Sequence, residues 1–436
     1  MLKGELMKKL ICALLALVPM AASAQEGLDS GDTAWIMTST ALVLFMSLPG
    51  LALFYGGLVR AKNVLSVLMQ CFAIVCVVSV IWLVCGYSLA FAPGNGFIGG
   101  LSKAFFQGVT EGSMSGSIPE TAFAMFQLTF AAITPALVVG GFAERMKFSA
   151  MLLFSVLWLL AVYLPVCHWV WAADGWLFKR GLLDFAGGTV VHITAGVAAL
   201  VAAVVLGSRR GFMHTPMMPH NMTMTVTGAG MLWVGWFGFN GGSALTAGGN
   251  ATMAILVTHL SAAAGAMMWS AIEWVKYGKP SALGIVTGMV AGLGTITPAS
   301  GFVGPGGALV IGLAAGFVCF FATHGLKRVL KIDDSLDVFP VHGVGGMLGT
   351  FAAGIFASSS LGVFSGQGYA EGMDMGSQLG VQLLGIGATI AYTAVLTWGL
   401  LKLVGVLTGL RVNDEEETVG LDTTQHNERG YDLQTL

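Results

Sequence analysis

Eleven apolar stretches, each long enough to cross a bilayer, follow one another along this chain, and no other feature constrains its fold as tightly. They lie near 34–59, 64–91, 120–142, 147–171, 187–207, 222–243, 250–275, 281–299, 302–325, 338–357 and 377–410. In hydrocarbon the backbone N–H and C=O groups of a lone segment are paired only in a helix, so these stretches predict an all-α polytopic membrane protein. The last stretch exceeds one span and is expected to continue into the cytoplasm. Charged residues are only 10% of the chain, against about 25% in a soluble domain. The 62 glycines suit helices whose backbones pack closely in lipid. A net charge of -2 gives no basis for nucleic-acid binding.

The N-terminus reads as a processing segment. Lys8 and Lys9 precede the apolar run 11–20, and Ala22-Ser23-Ala24 is a small-x-small cleavage site. Residues 1–24 are therefore expected to be a cleaved signal peptide, 25–410 the membrane domain and 411–436 a cytoplasmic tail. The remaining cysteines, Cys71, Cys76, Cys85, Cys167 and Cys319, all fall in apolar segments without CxxC spacing. That pattern predicts thiols within the membrane and neither disulfides nor a metal site. One set of loops holds Arg60, Lys62, Arg145, Lys147, Arg209, Arg210, Lys276, Lys279, Lys327, Arg328 and Lys331; the other holds only Lys103, Lys179 and Arg180. By the positive-inside rule the first set is cytoplasmic, which places the mature N-terminus outside and the C-terminus inside.

Two histidines stand in apolar helices. His192 lies in DFAGGTVVHITAGVAALVAAVVLGSR (184–209) and His342 in DVFPVHGVGGMLGTFAAG (337–354). Ionisable groups at membrane depth are costly and face a cavity or a partner; the alternative for each is a neutral ring bonded to nearby backbone. A weak internal repeat favours the functional reading. TSTALVLFMSLPGLALFYGG (38–57) and TVTGAGMLWVGWFGFNGG (225–242) both open on T-x-T and close on Phe-x-Gly-Gly. Four segments later each half carries its histidine, preceded by Asp184 or Asp337. Five helices per repeat invert the second half, giving a 5+5 arrangement plus a final helix. Such inverted repeats place a pathway at their interface near the midplane.

Aromatic residues cluster at helix ends: Phe126 and Phe130, Trp171, then Trp236, Phe237 and Phe239 with Ser243 close behind. Singly, each also fits an interface anchor or a packing residue. Together their ring faces attract a small cation, at roughly 0.5–2 kcal/mol each, and Ser243 offers an acceptor.

At these residues the chain closely resembles the Amt/Mep/Rh ammonium transporter family, in its bacterial AmtB form. LPGLALFYGGLVRAKNVLS, GWFGFNGGSALTA and the two histidine motifs carry the likeness, which covers essentially the whole mature chain. The resemblance implies a homotrimer in the inner membrane, with a narrow hydrophobic pore through each eleven-helix subunit. Matched motif by motif, it implies ammonium recruitment by Phe130, Trp171 and Ser243 and a gate of Phe130 stacked on Phe239. His192 and His342 match the pore's twin histidines, Trp236 a pore-lining tryptophan, and Asp184 an aspartate near the outer entrance. The position of Asp184 just before a helix favours a capping role. GLRVNDEEETVGLDTTQHNERGYDL (409–433) reads as a solvated acidic segment by composition and resembles the tail that helps a PII-type signal protein dock.

The physics of such a pore stands apart from the family. A bare cation in low dielectric costs tens of kcal/mol by Born estimates, far more than a few rings return, whereas neutral ammonia avoids most of that cost. The expected function is thus an ammonium transporter that deprotonates its substrate and conducts ammonia, with no cofactor and no enzymatic step. A haem protein would need facing histidine ligands. A cation channel would need carbonyl filters or acidic rings, and an aquaporin-like channel would carry paired NPA motifs. The nearer alternative is an ammonium sensor of the same fold signalling through a PII-type partner. Sensors of that kind usually carry an appended signalling domain, and about 26 residues follow Leu410.

Overall fold

Helices begin where an apolar stretch follows a side chain able to cap it. Asp29 accepts from the Asp32 amide at 2.8 Å, Asn221 from Met224 at 2.9 Å and Ser281 from Gly284 at 2.8 Å. Asp374 and Ser377 form a reciprocal capping box. The computed structural model describes residues 27–431, so the signal segment expected at 1–24 lies outside the described residues. The first half comprises α1 (Ser30–Leu58), α2 (Ala61–Phe91), α3 (Glu120–Phe142), α4 (Phe148–Trp171) and α5 (Gly188–Leu206). The second comprises α6 (Met222–Trp236, prolonged through Phe237–Gly241), α7 (Gly249–Tyr277), α8 (Ala282–Ile296), α9 (Pro305–Val329) and α10 (Phe339–Phe356). The 34-residue α11, Met375–Thr408, runs along the outside of the bundle against α4, α5 and α10.

Among the described residues, nine of these helices are long and apolar enough to cross a membrane, fewer than the eleven expected. The shortfall is at α6, whose 222–241 run is interrupted by Thr223, Thr225, Thr227 and Asn240, and at α8, a 15-residue helix. The span expected from sequence runs to 299, but Thr297 and Pro298 follow Ile296 and the backbone turns there, with the Ala299 amide bonded to the Ile296 carbonyl.

Both halves carry π-helical turns at matching places. Gly188–Ile193 in α5 corresponds to Phe339–Val344 in α10, and a further such turn, Phe237–Gly241, follows α6. Such widened turns concentrate at functional sites, and these three hold His192, His342 and Phe239. α5 and α10 cross at glycine: a Cβ on Gly196 would fall 2.3 Å from the Gly343 Cα. That absence of side chains lets the two histidine-bearing backbones touch.

The two loop sets lie at opposite ends. Lys103 pairs with Glu120 at the start of the 23-residue α3, whereas Arg145 follows its end. At the Arg145 end, Arg209 meets Glu144 at 2.6 Å and grips Asp333 with two nitrogens at 2.8 and 2.9 Å. Burial pushes the Glu144 carboxyl up, but the Arg209 and Arg60 guanidiniums prevail and hold it at about 2.

The tail is docked rather than solvated. Two short helices, α12 (Asp414–Val419) and α13 (Leu421–His426), lie on this same end, with Glu417, Leu421 and Asp422 buried. The Leu421 amide donates to Asn63 Oδ1 at 2.8 Å, and the Ser66 amide to Asp422 Oδ1 at 2.7 Å. Composition alone misses this because the partners are backbone amides and basic loops distant in sequence.

Candidate functional site

The crossing of α5 over α10 brings His192 Nδ1 to 3.1 Å from His342 Nδ1, with the rings stacked at 16°. Both are almost wholly buried. Two Nδ1 atoms at that distance share one proton, so the tautomers are opposed: one ring keeps a bare Nε2, the other an Nε2–H. Nε2 of His192 has no protein partner. Trp236 lies parallel to His192 at 5.7 Å and is fixed by donating Nε1–H to Thr297 Oγ1 at 2.8 Å. A small lumen of about 10 Å3, room for roughly one water-sized molecule, lies between these three rings, Phe239 and aliphatic side chains.

On one side of that lumen the Phe130 and Phe239 rings meet at a centroid distance of 4.2 Å. Beyond them a cavity of about 220 Å3 opens, lined by Phe130, Trp171, Ser243 and Gln127 among others. Trp171 stands edge-on to Phe130 at 5.6 Å and donates Nε1–H to the Asp184 carbonyl. Ser243 spends its proton on the Phe239 carbonyl at 2.8 Å, leaving its oxygen lone pairs for a ligand. On the other side His342 borders a second cavity of about 230 Å3, which also touches Lys327 and Asp337.

The sequence profile of the Ammonium Transporter Family matches residues 34–431. The chain belongs to that family. It is 47% identical over 408 residues to the ammonium transporter of Bacillus subtilis (strain 168), covering 93% of this chain and 99% of that protein. Among solved structures, Saccharomyces cerevisiae Mep2 superposes with a TM-score of 0.82 at 40% identity, covering 89% of this chain and 88% of that one. A structure described as a sensor Amt protein gives 0.83 at 29% identity, covering 91% and 98%. The relatives are transporters rather than enzymes, and the family lives in membranes.

Within this family member the structure groups the residues singled out from sequence, with two differences. Phe126 packs on Phe130 at 5.0 Å behind the cavity wall, and Phe237 turns away toward His259 at 6.1 Å. Asp184 accepts from the amides of Gly187, Gly188, Thr189 and Val190 and from the Thr189 hydroxyl, so its carboxylate is consumed by the start of α5. Its counterpart in the second half is Asp334, not Asp337. Asp334 Oδ2 accepts from the Phe339 amide at 2.7 Å at the start of α10, while Asp337 pairs with Lys327 at 2.8 Å.

Gln127 was missed in the sequence. It is buried, and its Oε1 has no protein partner. The signal was present as the one amide in AMFQLTF, a turn before Phe130. Three cysteines, Cys71, Cys167 and Cys319, are buried, whereas Cys76 faces outward from α2.

Proposed function

We propose that the chain transports ammonium by recruiting the cation at the Trp171 cavity, removing a proton and conducting ammonia past the histidine pair. The observation that carries this reading is the order of compartments: an aromatic cavity, the closed Phe130–Phe239 pair, a lumen only about one molecule wide at His192 and His342, then a second cavity. Ring faces and two oxygen acceptors, Ser243 and Gln127, suit a small cation with N–H groups to donate. Among the described residues, no carboxylate side chain lines the lumen past the phenylalanines to replace a cation's hydration shell. Neutral ammonia crosses that stretch by exchanging hydrogen bonds with the free imidazole nitrogens.

In this reading all eleven helices cross the inner membrane, the Trp171 cavity opens outside, and the Lys327 cavity and tail face the cytoplasm. Each subunit of a homotrimer carries its own pore, and a PII-type protein docks on the tail side. Ammonium flux in proteoliposomes tests the pathway. Flux should fall sharply when either histidine becomes alanine, and unchanged flux in both variants would return the pair to a packing role.

The likeness to a sensor Amt protein and the docked tail support a second reading, an ammonium sensor of the same fold. Growth rescue of a strain lacking ammonium uptake separates the two, since a sensor alone would not restore growth.

A further inference from the structure

At the tail end of the molecule, away from the conduction pathway, three cationic side chains converge on one concavity. It has a volume of about 420 Å3 and is walled by Arg60 and Lys62 after α1, by Arg210 and Thr215 in the α5–α6 loop, and by Glu417 and Thr418 of the tail. Basic loops alone follow from membrane orientation, but here the cations come from separate segments and face one space.

Their charges are not balanced by the protein. Arg60 engages Glu144 through Nε, and its Nη2 is buried without a partner. Arg209 shares that same Glu144 and also grips Asp333. Lys62 donates to the carbonyls of Glu417 and Thr418, and Arg210 to the Thr418 hydroxyl, all neutral acceptors. Glu417 is the single carboxylate in the wall; it accepts from the Arg210 amide at 2.6 Å and is paired with Arg411 at 2.7 Å. Among the described residues, Arg60, Lys62, Arg209, Arg210 and Arg411 thus face only Glu144, Asp333 and Glu417. The remaining acidic residues of α12, Asp414, Glu415 and Glu416, do not line the space.

We infer that this concavity is a binding site for a phosphate group. A carboxylate offers one charge and two oxygens, whereas a phosphate offers about two charges and at least three acceptor oxygens for Arg60, Lys62, Arg210 and the Thr215 hydroxyl. The bound group bridges the α1–α2 turn, the α5–α6 loop and the tail, so it stabilises their docking by mass action. Either soluble phosphate or a phosphomonoester lipid headgroup, as in phosphatidic acid, carries this chemistry.

The inference does not rest on the proposed pore, and its test reads binding rather than transport. The full chain in detergent is titrated with inorganic phosphate by calorimetry and by thermal unfolding, against chloride at equal ionic strength. One saturable site per chain and a rise in Tm specific to phosphate are expected. Thr215 gives no side-chain hydrogen bond to the described residues, so substitutions there leave the tail contacts in place. Thr215→Glu should weaken binding by roughly tenfold or more, and Thr215→Lys should tighten it. Repeating the titration in nanodiscs separates the sources. Loss of phosphate binding in nanodiscs containing phosphatidic acid but not in phosphatidylcholine alone assigns the site to a lipid headgroup, and equal binding in both assigns it to soluble phosphate. A phosphate response no greater than that of chloride, or Thr215 variants that titrate like the parent, would overturn the site.

Discussion

His192 and His342 hold one proton between two Nδ1 atoms 3.1 Å apart, so changing one ring alters the tautomer of the other. His192→Ala or His342→Ala should cut ammonium flux in proteoliposomes by about tenfold or more, with the protein still folded because the surrounding glycines tolerate a smaller side chain. An acidic replacement at either position should instead admit potassium, since a carboxylate holds water and a cation where imidazole holds ammonia. Measured potassium leak distinguishes the two outcomes. At the cavity, Trp171→Leu, Ser243→Leu or Gln127→Leu should weaken transport at low ammonium and spare it at high ammonium. In the proposed function these groups concentrate the cation and transfer no proton, so equal loss at all concentrations would exclude a recruiting role. The individual residues were legible in sequence as polar or aromatic interruptions of apolar runs. Gln127 escaped because a lone amide in a helix is ordinarily a packing detail until its oxygen is found without a partner.

At the scale of the element, the two histidine helices are each started by an aspartate. Asp184→Ala would orphan several amides at the head of α5, at roughly 1–3 kcal/mol for each left unsatisfied. A marked drop in Tm, and less flux at normal expression, should follow. Asp334 at the head of α10 adds a pH dependence. Burial and the neighbouring Asp337 raise its carboxyl from the ordinary value to about 7. A raised folded value means the native state binds the proton more tightly than the unfolded chain. This contribution is present below about pH 4 and declines as pH climbs to about 7. Glu144, held at about 2, acts oppositely and loses its contribution as pH falls below its ordinary range. Thermal unfolding across pH 4–7 should therefore flatten in Asp334→Asn relative to the parent; an identical profile would remove Asp334 as the titrating group. The sequence reading paired Asp184 with Asp337 as the aspartate preceding each histidine. Only the fold, which turns Asp337 toward Lys327, assigns the cap to Asp334.

For the whole molecule, the separation of Lys103 from Arg145 by the length of α3 fixes two opposite faces. A reporter fused at Lys331 should read cytoplasmic and one at Lys103 external; reversal of both would overturn the charge argument. The docked tail makes a second prediction at this scale. Truncation after Arg411 removes the donor to Asn63 Oδ1 and the acceptor of the Ser66 amide and should abolish binding of a PII-type protein. Pull-down with a purified PII protein checks it, and unchanged affinity would take the tail out of that interaction.

The sequence by itself determined the class of structure and the chemistry available to it. Apolar length demands helices, charge asymmetry separates the loops, and the paired motifs place one histidine in each half. These properties are local or periodic, so they can be read along a chain. What the tertiary structure decided are the relations between distant residues. The 3.1 Å contact between His192 and His342 depends on Gly196 meeting Gly343, and the 4.2 Å ring pair on α3 lying beside the turn after α6. The end of α8 at Ile296 and the burial of an acidic tail also escaped the sequence. A span drawn by apolar length overruns a backbone turn by a few residues, and an acidic segment becomes buried only when the cations and amides that satisfy it arrive from elsewhere in the fold.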